Sequence, residues 1–146
     1  FIFFTSRRSE NNNSFFRYAR EPDKMPRSVA FSIRKITKDD QRVKDAKELR
    51  VKESDRLEAI ASGLKALNVP HYLYEDGIEI SGVKEIFPSD EPIDSFGDHR
   101  IAMSFLISSL ISTKDIKVLN CKNIYTSFPS FFDEMNKLGL SMEKYG

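Results

Sequence analysis

The chain has 146 residues, 40% of them hydrophobic and 12% aromatic, which suffices for one ordinary buried core and excludes two large ones. Its net charge is only +1, yet residues 1–50 hold 13 Lys and Arg against 7 Asp and Glu, while residues 51–146 hold 10 against 15. The lone Cys121 excludes an internal disulfide, and no Cys/His cluster of metal-binding type surrounds His71 or His99, so a reducing compartment, the cytoplasm, and no structural zinc are expected.

Residues 1–4 are apolar but too few to cross a membrane, and Arg7 and Arg8 follow them, against the order of a secretory signal. A soluble chain with no membrane partner is expected. The basic first third could contact nucleic acid, but Phe15, Phe16 and Tyr18 lack the spacing of an RNA-reading motif, so no nucleic-acid partner is expected either. Residues 1–42 are irregular, with a run of Asn at 11–13, scattered Arg and Ser, and one apolar stretch, 29–33, that reads as a strand or short helix.

Regular patterning begins at Val43, and residues 43–146 are expected to form one domain portion. Leu57, Ile60, Leu64 and Leu67 recur at helical spacing behind Ser54, which predicts a helix over 54–67 with Ser54 as its cap, ended by Asn68 and Pro70. Residues 71–75 and 78–81 flank Asp76-Gly77, a strong hairpin signal. After a loop rich in Pro, Asp and Ser, Asp98 can cap a helix over 99–111 whose apolar residues nearly surround it, the mark of a helix buried between layers. Residues 116–119 read as a strand. Thr126 or Ser127 can cap a last helix with Pro129 in its first turn, and Gly139 ends it. Phe128, Phe131 and Phe132 are read as core. The order strand, helix, hairpin, helix, strand, helix predicts an α/β (α+β layered) fold with helices packed under a sheet.

Two segments, 49–56 and 97–100, each place an arginine at the start of a helix. Free N–H groups, the positive end of the helix dipole and a guanidinium together suit a carboxylate or phosphate. On spacing alone, however, ordinary ion pairs of Glu53, Asp55 and Asp98 with Arg56 and Arg100 describe these residues better, and Lys52 reads as a plain exposed lysine.

Three motifs shift that balance. Leu49-Arg50-Val51-Lys52-Glu53-Ser54-Asp55-Arg56, Gly97-Asp98-His99-Arg100-Ile101-Ala102-Met103 and Thr126-Ser127-Phe128-Pro129-Ser130-Phe131 occur in this order. They resemble the signatures of 5-enolpyruvylshikimate-3-phosphate (EPSP) synthases, and the likeness covers about a hundred residues, the last part of that family's C-terminal domain. The sister transferase acting on UDP-N-acetylglucosamine shares the family fold but lacks these motifs; a non-catalytic relic of the same family is the other reading left open.

The resemblance implies the two-domain enolpyruvyl transferase fold of repeated sheet-and-helix units, with the active site in the cleft between the domains. It implies transfer of the enolpyruvyl group of phosphoenolpyruvate (PEP) to the 5-hydroxyl of shikimate 3-phosphate, without metal or cofactor. The partners so implied are the two anionic substrates and a missing N-terminal domain. Matched position by position, Arg56 and Arg100 should bind PEP, Lys52 the shikimate 3-phosphate, and Glu53 should act as general acid or base. An upstream aspartate shares that work in the family. Here Asp23-Lys24-Met25-Pro26 matches its stretch imperfectly, and Asp23 is the candidate. Thr126 inherits no PEP-binding role, and His99 is expected to steady the first turn beside Arg100.

Overall fold

The computed structural model describes residues 3–8 and 40–145, so Asp23 and the apolar stretch 29–33 lie outside the described residues. The chain forms strands β1 (Phe3–Arg8) and β2 (Gln41–Val43), a 3-10 turn (Lys47–Val51), helix α1 (Arg56–Ala66), and the hairpin β3 (His71–Tyr74) and β4 (Gly77–Ile80). There follow β5 (Ile93–Asp94), α2 (His99–Ser108) with a 3-10 extension (Ser109–Ile111), β6 (Ile116–Leu119), a 3-10 turn (Cys121–Asn123), α3 (Ile124–Ser127), α4 (Phe131–Lys137) and β7 (Leu140–Tyr145).

Two sheets enclose the main helices. One is antiparallel in the order β2, β4, β3; the other runs β5, β6, β1, β7, with β5 parallel to β6 and the remaining pairs antiparallel. Helix α1 packs on β3, β4 and β5, whereas α2 packs on β6 and β1. Ile78 and Ile80 of β4 point into the core while Glu79 between them meets Arg42 across the ladder, the alternation of a sheet with one covered face. Helix α2 buries Ile101, Ala102, Met103, Phe105, Leu106 and Ile107, so it is apolar on nearly all sides, as a helix between layers must be.

The two helices touch through Gly63 of α1. A Cβ there would fall 2.0 Å from Cζ of Phe105, so only glycine lets the helices approach this closely. Their C-terminal ends are reached by one short segment: Ser89 N–H donates to the Ala66 carbonyl and Ile86 N–H to the Ile111 carbonyl, both at 2.8 Å. Their N-terminal ends also meet, as described below. The helices therefore run side by side in the same direction.

The layered helix-and-sheet fold is as expected, but local details differ. Asp55, not Ser54, caps α1: its backbone is extended and its side chain accepts from Glu58 N–H, because that carboxylate also has an arginine partner to hold it. The hairpin lies where Asp76-Gly77 placed it, but its turn residues are Glu75 and Asp76, and Gly77 pairs with Tyr74 inside β4. Gly77 serves close approach, since a Cβ would stand 2.0 Å from the Val43 carbonyl oxygen of the neighbouring strand. The last predicted helix is two short ones, α3 and α4, preceded by Asn123 and Ser130, whose side chains make no capping bond; the Thr126 hydroxyl donates back to the Asn123 carbonyl instead of capping anything. Phe131 is fully buried with Phe128 and Phe132 against it, at ring-centre distances of 5.8 and 5.3 Å. Strand β7 had no counterpart in the sequence pattern, since most of its residues are exposed and it alternates weakly. No helix among the described residues is long and apolar enough to cross a membrane.

Candidate active site

Both helix starts are built by local chain chemistry. Before α1, the chain leaves the 3-10 turn extended at Lys52 and reaches Asp55, which receives Glu58 N–H at 3.1 Å. Before α2, Phe96 and Gly97 both take positive φ, +53° and +75°, a reversal that glycine permits at no steric cost. Asp94 accepts from Phe96 N–H at 2.7 Å, and Asn123 donates to the Gly97 carbonyl at 2.6 Å, fixing this reversal. Asp98 follows it, extended, and caps α2 by accepting from Arg100 N–H at 2.9 Å.

Asp98 also joins the two helices. Fully buried, it accepts from Arg56 Nε at 2.6 Å and from the Ser54 hydroxyl at 3.3 Å through its second oxygen. Burial alone would raise its pKa, but the Arg56 guanidinium and the backbone N–H groups of Arg100 and Ile101 outweigh it and hold the carboxyl below the ordinary 3.8. Arg56 extends the network: its Nη2 stands 3.5 Å from Glu53 Oε2, which is itself 3.1 Å from His99 Nδ1. Glu53 is half exposed, so a carboxylate facing solvent is steadied from behind by a fixed cation and by a ring able to hold or pass a proton.

Of the residues singled out from sequence, Glu53 and Arg56 are thus in contact, and Arg100 joins them through its backbone on Asp98. The Arg100 residue is exposed at the second position of α2, Lys52 is exposed beside Glu53, and His99 lies against Glu53. Asp23 lies outside the described residues. The cap formed by Asp98 was visible, and an ion pair of Asp98 with Arg56 or Arg100 was among the ordinary contacts the sequence allowed; that the partner is Arg56, 42 residues away, and that Asp98 also receives Ser54, left no local signal. Glu53, Asp98 and His99 also present ligand-type atoms within 4.8 Å of one another. The Arg56 guanidinium contacts both carboxylates, so a permanent cation already fills the place a metal ion would take. With two helix N-termini at the same spot, the arrangement suits an anionic ligand. A cavity of about 270 Å³ lined by Leu67, Ser89 and Lys114 lies at the opposite end of α1 and takes no part in this site.

A sequence model of one protein family, described as EPSP synthase (3-phosphoshikimate 1-carboxyvinyltransferase), matches residues 23–135. The chain belongs to the EPSP synthase family. A 3-phosphoshikimate 1-carboxyvinyltransferase of Magnetococcus marinus is 42% identical over 128 residues, 84% of this chain and 29% of that protein. One of Geobacter metallireducens is 47% identical over 96 residues, 66% of this chain and 22% of that protein. Among solved structures, an EPSP synthase of Acinetobacter baumannii superposes with a TM-score of 0.74 at 34% identity, over 82% of this chain and 28% of that one. The chain therefore spans under a third of the length of the EPSP synthases it matches.

Proposed function

We propose that this chain supplies one wall of an EPSP synthase active site, where the enolpyruvyl group of PEP is transferred to the 5-hydroxyl of shikimate 3-phosphate with release of phosphate. In this reading Arg56 and Arg100, at two converging helix starts, bind PEP. Lys52 meets the shikimate 3-phosphate. Glu53 moves the proton that addition to the alkene requires at the methylene carbon, with Asp23 as an upstream carboxylate sharing that work. The remainder of a longer protein supplies the opposing wall, and a cytoplasmic location is part of the reading.

The observation that carries it is the buried Arg56–Asp98 pair at 2.6 Å. It brings the starts of α1 and α2 together and leaves Glu53 against Arg56 and His99. A permanent cation, held in place before any substrate arrives, stabilises developing charge without reorganising.

The test is a chimera in which residues 40–145 replace the matching segment of the Magnetococcus marinus relative, assayed for phosphate release from PEP with shikimate 3-phosphate. Turnover within about tenfold of the parent enzyme is expected. A folded but inactive chimera would sink the reading. The 146-residue chain by itself is expected to show no turnover, because one wall of a cleft can neither orient two substrates nor exclude water.

A further inference from the structure

Arg50 stands two residues before Lys52, and its side chain is largely enclosed. Three of its nitrogens are engaged at once: Nε donates to the Glu75 carbonyl at 2.7 Å, Nη2 to the Tyr74 carbonyl at 2.8 Å, and Nη1 to Asp55 Oδ2 at 2.9 Å. The carbonyls belong to the end of β3 and the hairpin turn, while Asp55 is the cap of α1. The same turn is tied twice more, by Ala46 N–H to the Asp76 carbonyl at 2.7 Å and by Lys47 to Glu75 at 2.9 Å.

The Arg50–Asp55 contact closes residues 51–54 into a small ring, and Lys52 and Glu53 lie inside it. With both ends of this stretch fixed by one side chain, and that side chain hung on the hairpin, the freedom of the two residues is restricted before ligand binds. A planar fork of donors reaches two carbonyls and a carboxylate together; the single ammonium of a lysine cannot.

We infer that Arg50 is a positioning residue for the transfer, setting Lys52 and Glu53 by locking loop 51–54 to the β3–β4 turn without touching substrate. This rests on the enolpyruvyl-transfer reading above. Arg56 is held separately by Asp98, so the effect divides between the substrates: loss of Arg50 disturbs the shikimate 3-phosphate and proton-transfer side more than the PEP side.

Two measurements decide it. In the chimera, Arg50→Lys is expected to lower kcat about tenfold or more and raise KM for shikimate 3-phosphate about fivefold, with KM for PEP within about twofold. A fall in kcat with both KM values unchanged, the mark of fewer folded molecules, would overturn the inference. In the 146-residue chain, amide exchange of Arg50→Lys and Arg50→Ala is expected to quicken about tenfold at Ala46 and Glu58, with Ala102, bonded to the Asp98 carbonyl, within about twofold. Equal change at all three amides, or none, refutes the clamp. If the unsubstituted chimera is inactive, the transfer reading fails alone, and exchange still decides whether Arg50 locks the loop.

Discussion

Arg56 opens one helix and Asp98 caps the other, and their contact of 2.6 Å makes the two helix starts a single electrostatic unit. Asp98 has no exposure and the Arg56 side chain is 13% exposed, so neither charge can turn to water if the other is removed.

Asp98→Ala is expected to destabilise the chain by roughly 3–5 kcal/mol, since it strands a buried cation and removes the cap of α2. Asp98→Asn keeps a capping oxygen and should cost less, about 1–3 kcal/mol. Urea unfolding of the three proteins reads the order; equal costs would show that the charge alone, and not the cap, matters.

The same pair sets an acid response. Because the folded-state pKa of Asp98 lies below the ordinary 3.8, its stabilisation is complete above that value and is lost as pH falls through 3.8 toward the lower folded value. The stability gap between the parent and Asp98→Asn should therefore shrink below about pH 4. Asp55 is depressed likewise, by Glu58 N–H and Arg50 acting against burial, but it is present in both proteins and cancels. A gap constant from pH 6 to 3 would contradict the assignment.

Gly63→Ala should destabilise by about 1–3 kcal/mol even though alanine favours helix, because its methyl meets the buried Phe105 ring. Phe105→Leu in the same chain should recover part of the loss. Thermal melts of the single and double variants check this, and additive losses would exclude the contact.

In the chimera, Glu53→Gln should lower kcat by about 10²–10⁴ while leaving KM for PEP nearly unchanged, as expected for a group that moves a proton. A rise in KM alone would make Glu53 a binding residue only.

Cys121 is buried without exposure, and burial with Asp94 nearby pushes its thiol up to about 12. Alkylation at pH 8 should be negligible in the folded chain and complete in urea. Rapid labelling of the native protein would place the thiol at the surface.

Long-period features were the legible ones. The 3.6-residue spacing of Leu57, Leu64 and Leu67 and the all-round apolarity of 101–107 fix α1 and α2, because burial of a face is written in the sequence itself. Cap choice was not legible: Ser54 and Asp55 are both good caps, and the decision falls to Arg50, which the β3–β4 turn holds in place, and to Asp98, far along the chain from Ser54. Gly77 shows the same limit, since its value depends on where Val43 passes and not on the turn. Within the site, spacing alone favoured ordinary ion pairs and the motif resemblance pointed to anion chemistry; the fold decides which pairs form, Arg56 with Asp98 and Glu53, and Glu53 with His99.

The segment at Ile86–Ser89, which closes the far ends of both helices, has a consequence for how such a chain can change length. By the rise of 1.5 Å per residue, the 11 residues of α1 put that end about 16 Å from Arg56 at its start. Extra residues inserted beyond Ser89 would lengthen a remote loop and leave the geometry at Glu53 untouched, whereas a single residue added between Arg50 and Asp55 would break the ring that holds it.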